Sequence, residues 1–202
     1  KLQTIAEYRE ATKALQTDKN DTLVWLYTSD AGKQDSYIQS AKARGYDVLN
    51  FDHPIDPHFV GYIEQKEEKI SVKRVDSEIV EKLIEKEAQI ESVLSEDEKN
   101  SVKEIFDKAI SKETMKVAVE SLPTDELPVS ITMPEFMRRM KEMGGMGGMS
   151  FMGNFPDSYN VVVNANHALT QKILKADSEE KKTALAKQAY DLALLAQNML
   201  TG

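Results

Sequence analysis

Methionine is concentrated in one segment of this 202-residue chain, and its thioether sulfur offers two kinds of chemistry. Seven of the nine methionines lie between Met133 and Met152, and the last six recur at every third residue. Thioethers ligate Cu(I), but that role usually comes with nearby histidine, which this segment lacks. Methionine is also flexible and polarizable, so a cluster of it adapts to many apolar partners. The segment therefore favours an adaptable binding surface over a metal site.

The other residue types that carry chemistry indicate no catalytic site. The chain has no cysteine, which excludes disulfides, thiolate metal sites and a cysteine nucleophile. Aspartate and histidine, which are common metal ligands, occur together within Asp52–His58, but their spacing matches no usual zinc pattern. The glycines of residues 144–148 follow a helical pattern and precede no Lys-Ser/Thr pair, so they predict no phosphate loop. We expect no catalytic residue, cofactor or metal here; an enzyme would show a cleft near Thr28–Asp30 or Asp52–His53.

Helical geometry divides the methionines between a helix and a loop. In an α-helix, a step of three residues falls ~60° short of a full turn, so methionines at that spacing cannot form one stripe. Thr132 and Glu135 form a capping-box pair, which predicts an amphipathic helix over residues 133–143. Paired glycines end this helix, and the later methionines are expected on a loop. The candidate binding residues on the helix are Met133, Phe136, Met137, Met140 and Met143.

The first part of the chain alternates helical and strand patterns. Thr4 and Glu7 form a capping box at the start of a helix over residues 4–16. Short apolar runs predict strands over residues 22–27, 46–51 and 70–75, and helical spacing occupies the intervals between them. This order predicts an α/β fold, a small α/β/α sandwich with a mostly parallel sheet, in a domain of residues 1–75.

From Asp76 onwards the pattern changes to α+β. Apolar positions from Ile79 to Leu94 predict one long charged helix, and Ser95 with Glu98 caps the next helix. Strands are expected over residues 115–119, 129–132 and 159–164, followed by helices over 166–176 and 178–199. Residues 76–202 therefore predict an α+β domain with a three-stranded sheet and C-terminal helices. The last helix is apolar around most of its circumference, which favours either a partner subunit or burial in its own core.

The charge distribution limits the partners of the chain. Its net charge is −8, and the acidic excess is concentrated in residues 76–104. Nucleic acids and anionic membranes select a basic surface, so we expect neither as a partner. No run reaches the ~18 apolar residues that span a membrane, and no signal peptide is visible, which favours a cytoplasmic protein. The chain begins at Lys1 without an initiator methionine, as expected of a fragment.

Four motifs occur in a characteristic order along the chain. They are YIQSAKARGYDVL at residues 37–49, PID at 54–56, VD at 75–76 and DLALLA at 191–196. In this order they resemble the C-terminal part of the heat-shock protein 90 family, in its bacterial HtpG type. The resemblance implies that residues 1–75 close the middle domain and residues 76–202 form the dimerization domain. ATP and Mg²⁺ would bind in a domain upstream, so this part would neither bind nor hydrolyse ATP.

The resemblance also implies two interaction surfaces. The family exposes an amphipathic helix to unfolded client proteins, and that helix falls on the methionine-rich segment. An aromatic residue after the Ile-Asp motif also faces clients, and Phe59 takes that place here. The late dimerization helix implies a homodimer through Leu185, Ala189, Leu192, Leu195, Ala196 and Met199. We therefore expect the client-binding and dimerizing part of an ATP-dependent chaperone. The alternative is a methionine-rich signal-sequence-binding module, although such modules also carry a basic RNA-binding surface that this acidic chain lacks.

Overall fold

The computed structural model describes residues 3–86, 90–110, 114–139 and 158–200. The chain divides into two compact units, Lys1–Ala88 and Gln89–Gly202. Each unit combines helices with a three-stranded sheet, which confirms the predicted α/β fold class. The assignment of residues 1–75 and 76–202 to two domains of the family stays a prediction.

The first unit alternates helices with parallel strands. Its elements are α1 (Ile5–Gln16), β1 (Leu23–Thr28), α2 (Asp35–Ala43), β2 (Val48–Asn50), α3 (Asp56–Lys66), β3 (Ile70–Arg74) and α4 (Val80–Leu83). The strand order is β2-β1-β3, and β1 pairs in parallel with both neighbours. Parallel strands need long crossover connections, which α2 and α3 provide.

The central strand β1 is buried along its whole length, as its continuous apolar run predicts. Trp25 and Tyr27 join one core cluster with Tyr8 of α1, while Val24 and Leu26 join a second cluster on the opposite face. The Trp25 indole Nε1 donates a hydrogen bond of 3.1 Å to the Thr12 hydroxyl, so its polar atom is paired inside the core. Cores on both faces of the sheet give the predicted α/β/α layers.

The predicted long helix from Ile79 to Leu94 is wrong. Within the described residues of that range, the helix covers only Val80–Leu83. Ile79 itself is buried, and Val80, Leu83 and Ile84 pack into the core cluster of the first unit that holds Val24 and Leu26. Ile84 has φ −127° and ψ 87°, outside the helical range, so the helix ends there while the Ile84 side chain still packs into this core.

The second unit has a mixed sheet covered by helices. Its elements are α5 (Glu96–Ile110), β4 (Met115–Glu120), β5 (Val129–Thr132), the helical residues 135–139 (α6), β6 (Tyr159–Asn164), α7 (Ala168–Leu174) and α8 (Glu179–Ala196). The strand order is β4-β6-β5, with β6 parallel to β4 and antiparallel to β5. One core cluster includes Phe106 of α5, Val161 of β6 and Tyr190 of α8.

Side-chain hydrogen bonds stabilise the starts of several helices. The capping box of Thr4 and Glu7 is present, and Ser95 and Glu98 exchange the same pair of bonds. The Nδ1 atom of His167 accepts a bond of 3.0 Å from the Leu169 amide, so this histidine caps α7. Across the described ranges, no helix is both long and apolar enough to cross a membrane.

Candidate functional site

The side chain of Phe136 is the most exposed large apolar side chain that the structure describes. It lies on α6, in the segment after β5, and 71% of its surface is accessible. Met133 and Met137 flank it and are half-buried. Three of the five predicted helix residues thus lie together on a described segment, whereas Met140 and Met143 lie outside the described residues.

An ion cluster of Glu135, Arg138 and Arg139 fixes this segment. The Glu135 carboxylate accepts bonds from the Arg138 Nε atom at 2.9 Å and the Arg139 Nε atom at 2.6 Å, and it also pairs with the Arg138 Nη2 atom. Arg138 is only 3% exposed. Burial by itself raises the pKa of Glu135, but the two guanidinium groups outweigh it and hold that pKa below its ordinary value.

The predicted capping box at Thr132 and Glu135 is wrong. Within the described part of the chain, the buried Thr132 hydroxyl oxygen has no hydrogen-bond partner. The Glu135 carboxylate instead binds two guanidinium groups, because charge-assisted bonds are stronger than a bond to a neutral amide. The first turn of α6 is consequently held by side-chain ion pairs.

Phe59 belongs to a second exposed apolar feature, on α3 in the first unit. Ile55, Phe59 and Tyr62 are all exposed and follow the i, i+4, i+7 spacing of one helix face; we name them the α3 ridge. The Phe59 ring packs edge-on against the half-buried Phe51, with 6.1 Å between centroids. The family resemblance indicated Phe59 alone, although the same helical spacing was the signal for Ile55 and Tyr62.

The six residues predicted for the dimer interface fall into two groups on or near α8. Leu192, Leu195 and Ala196 are exposed on one face, and the two leucines are 57% and 59% accessible. Ala189 lies inside the core of its own unit, and Leu185 and Met199 pack against that core. The structure therefore brings three of the predicted residues to a free surface and uses the other three internally.

Potential ligand atoms also meet in the loop between β2 and α3. Asp52, His53 and Asp56 each offer one such atom, and these atoms lie within 4.8 Å of one another. The His53 Nδ1 atom is 2.6 Å from the Asp52 carboxylate, which lowers the pKa of Asp52. The sequence places these residue types within Asp52–His58 but does not predict that their ligand atoms lie close together.

The exposed aromatic and aliphatic side chains on α3, α6 and α8 are therefore candidate contact surfaces for other polypeptides. No family model matches the chain. A protein from Porphyromonas gingivalis named "Chaperone protein HtpG" is 39% identical over 95% of this chain and 29% of its own length. Proteins of the same name from Bacteroides fragilis and Bacteroides thetaiotaomicron are each 38% identical, over 91% and 88% of this chain.

These matches confirm the predicted resemblance: over most of its length the chain is similar to the C-terminal part of HtpG chaperones. It spans less than a third of the length of the curated relatives that it matches, with 28% and 26% of the two Bacteroides proteins covered.

Proposed function

We propose that this chain is the client-binding and dimerizing part of an ATP-dependent chaperone. The printed names of its relatives, "Chaperone protein HtpG", support the chaperone role. The nucleotide site, with ATP and Mg²⁺, would belong to other regions of the whole protein. In this proposal the chain itself carries out no catalysis and contributes surfaces that hold polypeptides.

The observation that carries the client-binding proposal is the exposed ring of Phe136 on a segment anchored by a buried Arg138. A phenylalanine side chain gains about 1.5–3 kcal/mol when a partner removes it from water. The neighbouring Met133 and Met137 are flexible, so they adjust to apolar segments of different shape. Met140 and Met143 would extend the same surface.

Phe59 would provide a second contact for clients. It lies on the α3 ridge, where Ile55 and Tyr62 add an aliphatic and an aromatic side chain on the same face. The contact of Phe59 with Phe51 holds the ring in one orientation, which lowers the entropy lost on binding. A surface with several separate apolar anchors suits extended, unfolded chains of varied sequence.

Dimerization would use the exposed face of α8. Leu192, Leu195 and Ala196 supply an apolar stripe that a second copy would cover through the same stripe, as in a two-fold symmetric contact. Ala189, Leu185 and Met199 would support that face from behind, because they pack in the core of the unit. Of the six predicted residues, three would touch the partner directly.

The client-binding proposal is tested by measuring how well the chain suppresses the aggregation of a heat-denatured test protein. We expect that Phe136→Ser together with Met137→Ser reduces suppression several-fold while the thermal unfolding of the chain is unchanged. The matched control is Leu127→Ser, which removes another exposed large apolar side chain of the same unit. Equal suppression by the wild type and the double variant would sink the proposal.

A further inference from the structure

The loop between β2 and α3 carries a group of side chains that the proposed function does not use. It consists of Asp52, His53 and Asp56, whose potential ligand atoms all lie within 4.8 Å of one another. Asp52 and His53 are exposed, and Asp56 is half-buried. Carboxylates often lie together on acidic surfaces, but the imidazole adds a nitrogen ligand at the same point, which a plain acidic patch does not offer.

The fold brings these residues together at the carboxyl end of the parallel strands. The Phe51 amide donates to the Thr28 carbonyl at 2.8 Å, which fixes the start of the loop beside β1. The His53 amide donates to the Asp56 carboxylate at 2.9 Å, so the loop folds back on the first turn of α3. Pro54 lies between the ligands and restricts the backbone there.

We infer that Asp52, His53 and Asp56 bind one divalent transition-metal ion of the zinc class. Nitrogen and carboxylate ligands lie ~2.0–2.2 Å from zinc, so two ligands of one ion are at most about 4.4 Å apart. The three ligand atoms lie within 4.8 Å of one another, close to this limit, and the 2.6 Å contact between His53 Nδ1 and Asp52 would open to admit the ion. Exposed side chains make that adjustment by small rotations. Zinc usually has four ligands, so three protein ligands leave one coordination position for a water molecule.

A neighbouring amide holds one of the three ligand side chains in place. The Asn50 amide donates to the second Asp52 oxygen at 3.0 Å and so orients the carboxylate. A bound ion would link residues on both sides of Pro54 and fix the loop that leads into the α3 ridge. This goes beyond client binding and dimerization.

The test is calorimetric titration of the full 202-residue chain with Zn²⁺ alone, in buffer free of chelators and with any purification tag removed. The chain suits this test because it has no cysteine and only three histidines to contribute background. We expect one saturable equivalent, with an affinity that falls as the pH drops because protons compete for the imidazole. The variants His53→Gln and Asp56→Asn should each lose at least about tenfold in affinity.

The matched control is His58→Gln, which removes another exposed histidine from α3 but none of the three ligands. Its Zn²⁺ affinity should equal that of the wild type. Nuclear magnetic resonance of the three imidazoles adds a readout independent of affinity, in which Zn²⁺ should shift the His53 signals and leave those of His58 and His167 in place. The inference is overturned by the absence of a saturable site, by equal losses in His53→Gln and His58→Gln, or by shifts at another histidine.

Discussion

Phe136 and Arg138 lie two positions apart on α6, and their burial is the reverse of what their chemistry favours: the aromatic ring is exposed and the guanidinium group is buried. The bonds from Arg138 to Glu135 offset the cost of removing its charge from water. The exposed ring therefore depends on an ion pair for its position rather than on apolar packing. Such an arrangement suits a side chain whose partner is another molecule.

The ion pair beneath Phe136 predicts a pH dependence. At neutral pH, Glu135→Gln should lower the free energy of unfolding by about 1–3 kcal/mol, because Arg138 loses its charge-assisted bonds. The folded-state pKa of Glu135 is below its ordinary value of 4.5, so this contribution is complete above pH 4.5 and is lost as the pH falls through the folded-state pKa. Urea unfolding followed by circular dichroism at decreasing pH should show the two proteins converging. Glu180→Gln, at an exposed position of α8, is the control and should have no effect.

If the exposed face of α8 forms the dimer contact, a charged side chain placed on that face should weaken self-association. Leu192→Asp or Leu195→Asp should weaken the dimer by more than about tenfold, because each change replaces apolar burial worth more than ~1.4 kcal/mol with a desolvated charge. Light scattering over a range of concentrations measures the mass. Leu15→Asp, at an exposed position of the first unit, should leave the mass unchanged. A wild-type chain that stays monomeric at every concentration would contradict the proposed interface.

The buried bond between Trp25 and Thr12 predicts a local stability effect. Thr12→Val should destabilise the first unit by about 1–3 kcal/mol, since the indole N–H would remain buried without an acceptor. Trp25 is the only tryptophan, so its fluorescence during urea unfolding reports on this unit. Thr12→Ser keeps the hydroxyl and should retain most of the stability. An unchanged stability of Thr12→Val with a loss only in Thr12→Ser would show that the methyl group, not the hydrogen bond, is responsible.

The hydrogen bonds of Asn166 predict a local stability effect in the second unit. Its amide oxygen accepts from the Val93 amide at 2.9 Å, and its nitrogen donates to the carbonyls of Glu91 at 2.9 Å and Leu122 at 3.0 Å. Asn166→Ala should cost more than about 2 kcal/mol and accelerate hydrogen exchange at the Val93 amide. Asn100→Ala, at an exposed position of α5, is the control. Unchanged exchange at Val93 would contradict the role of this side chain.

Local signals made much of the fold predictable. The capping boxes of Thr4 with Glu7 and Ser95 with Glu98 fixed helix starts within a few residues, because both partners are close in sequence. The continuous apolar run of β1 correctly predicted a buried central strand. The helix of residues 79–94 was overpredicted, since the spacing of Ile79, Leu83 and Ile84 indicates which side chains are buried but not where the backbone leaves the helix.

Residue order and short-range bonds were sufficient to predict the α/β class, the start of most helices and the family resemblance. Long-range packing was needed to show that Phe136 is exposed while Arg138 is buried, and that Leu192 is exposed while Ala189 is covered. A residue type sets how much free energy its burial would release, but the surfaces that bury it come from elements distant in the chain. Residues of one apolar helix therefore separate into a core face and a free face only after the helices and sheets have packed.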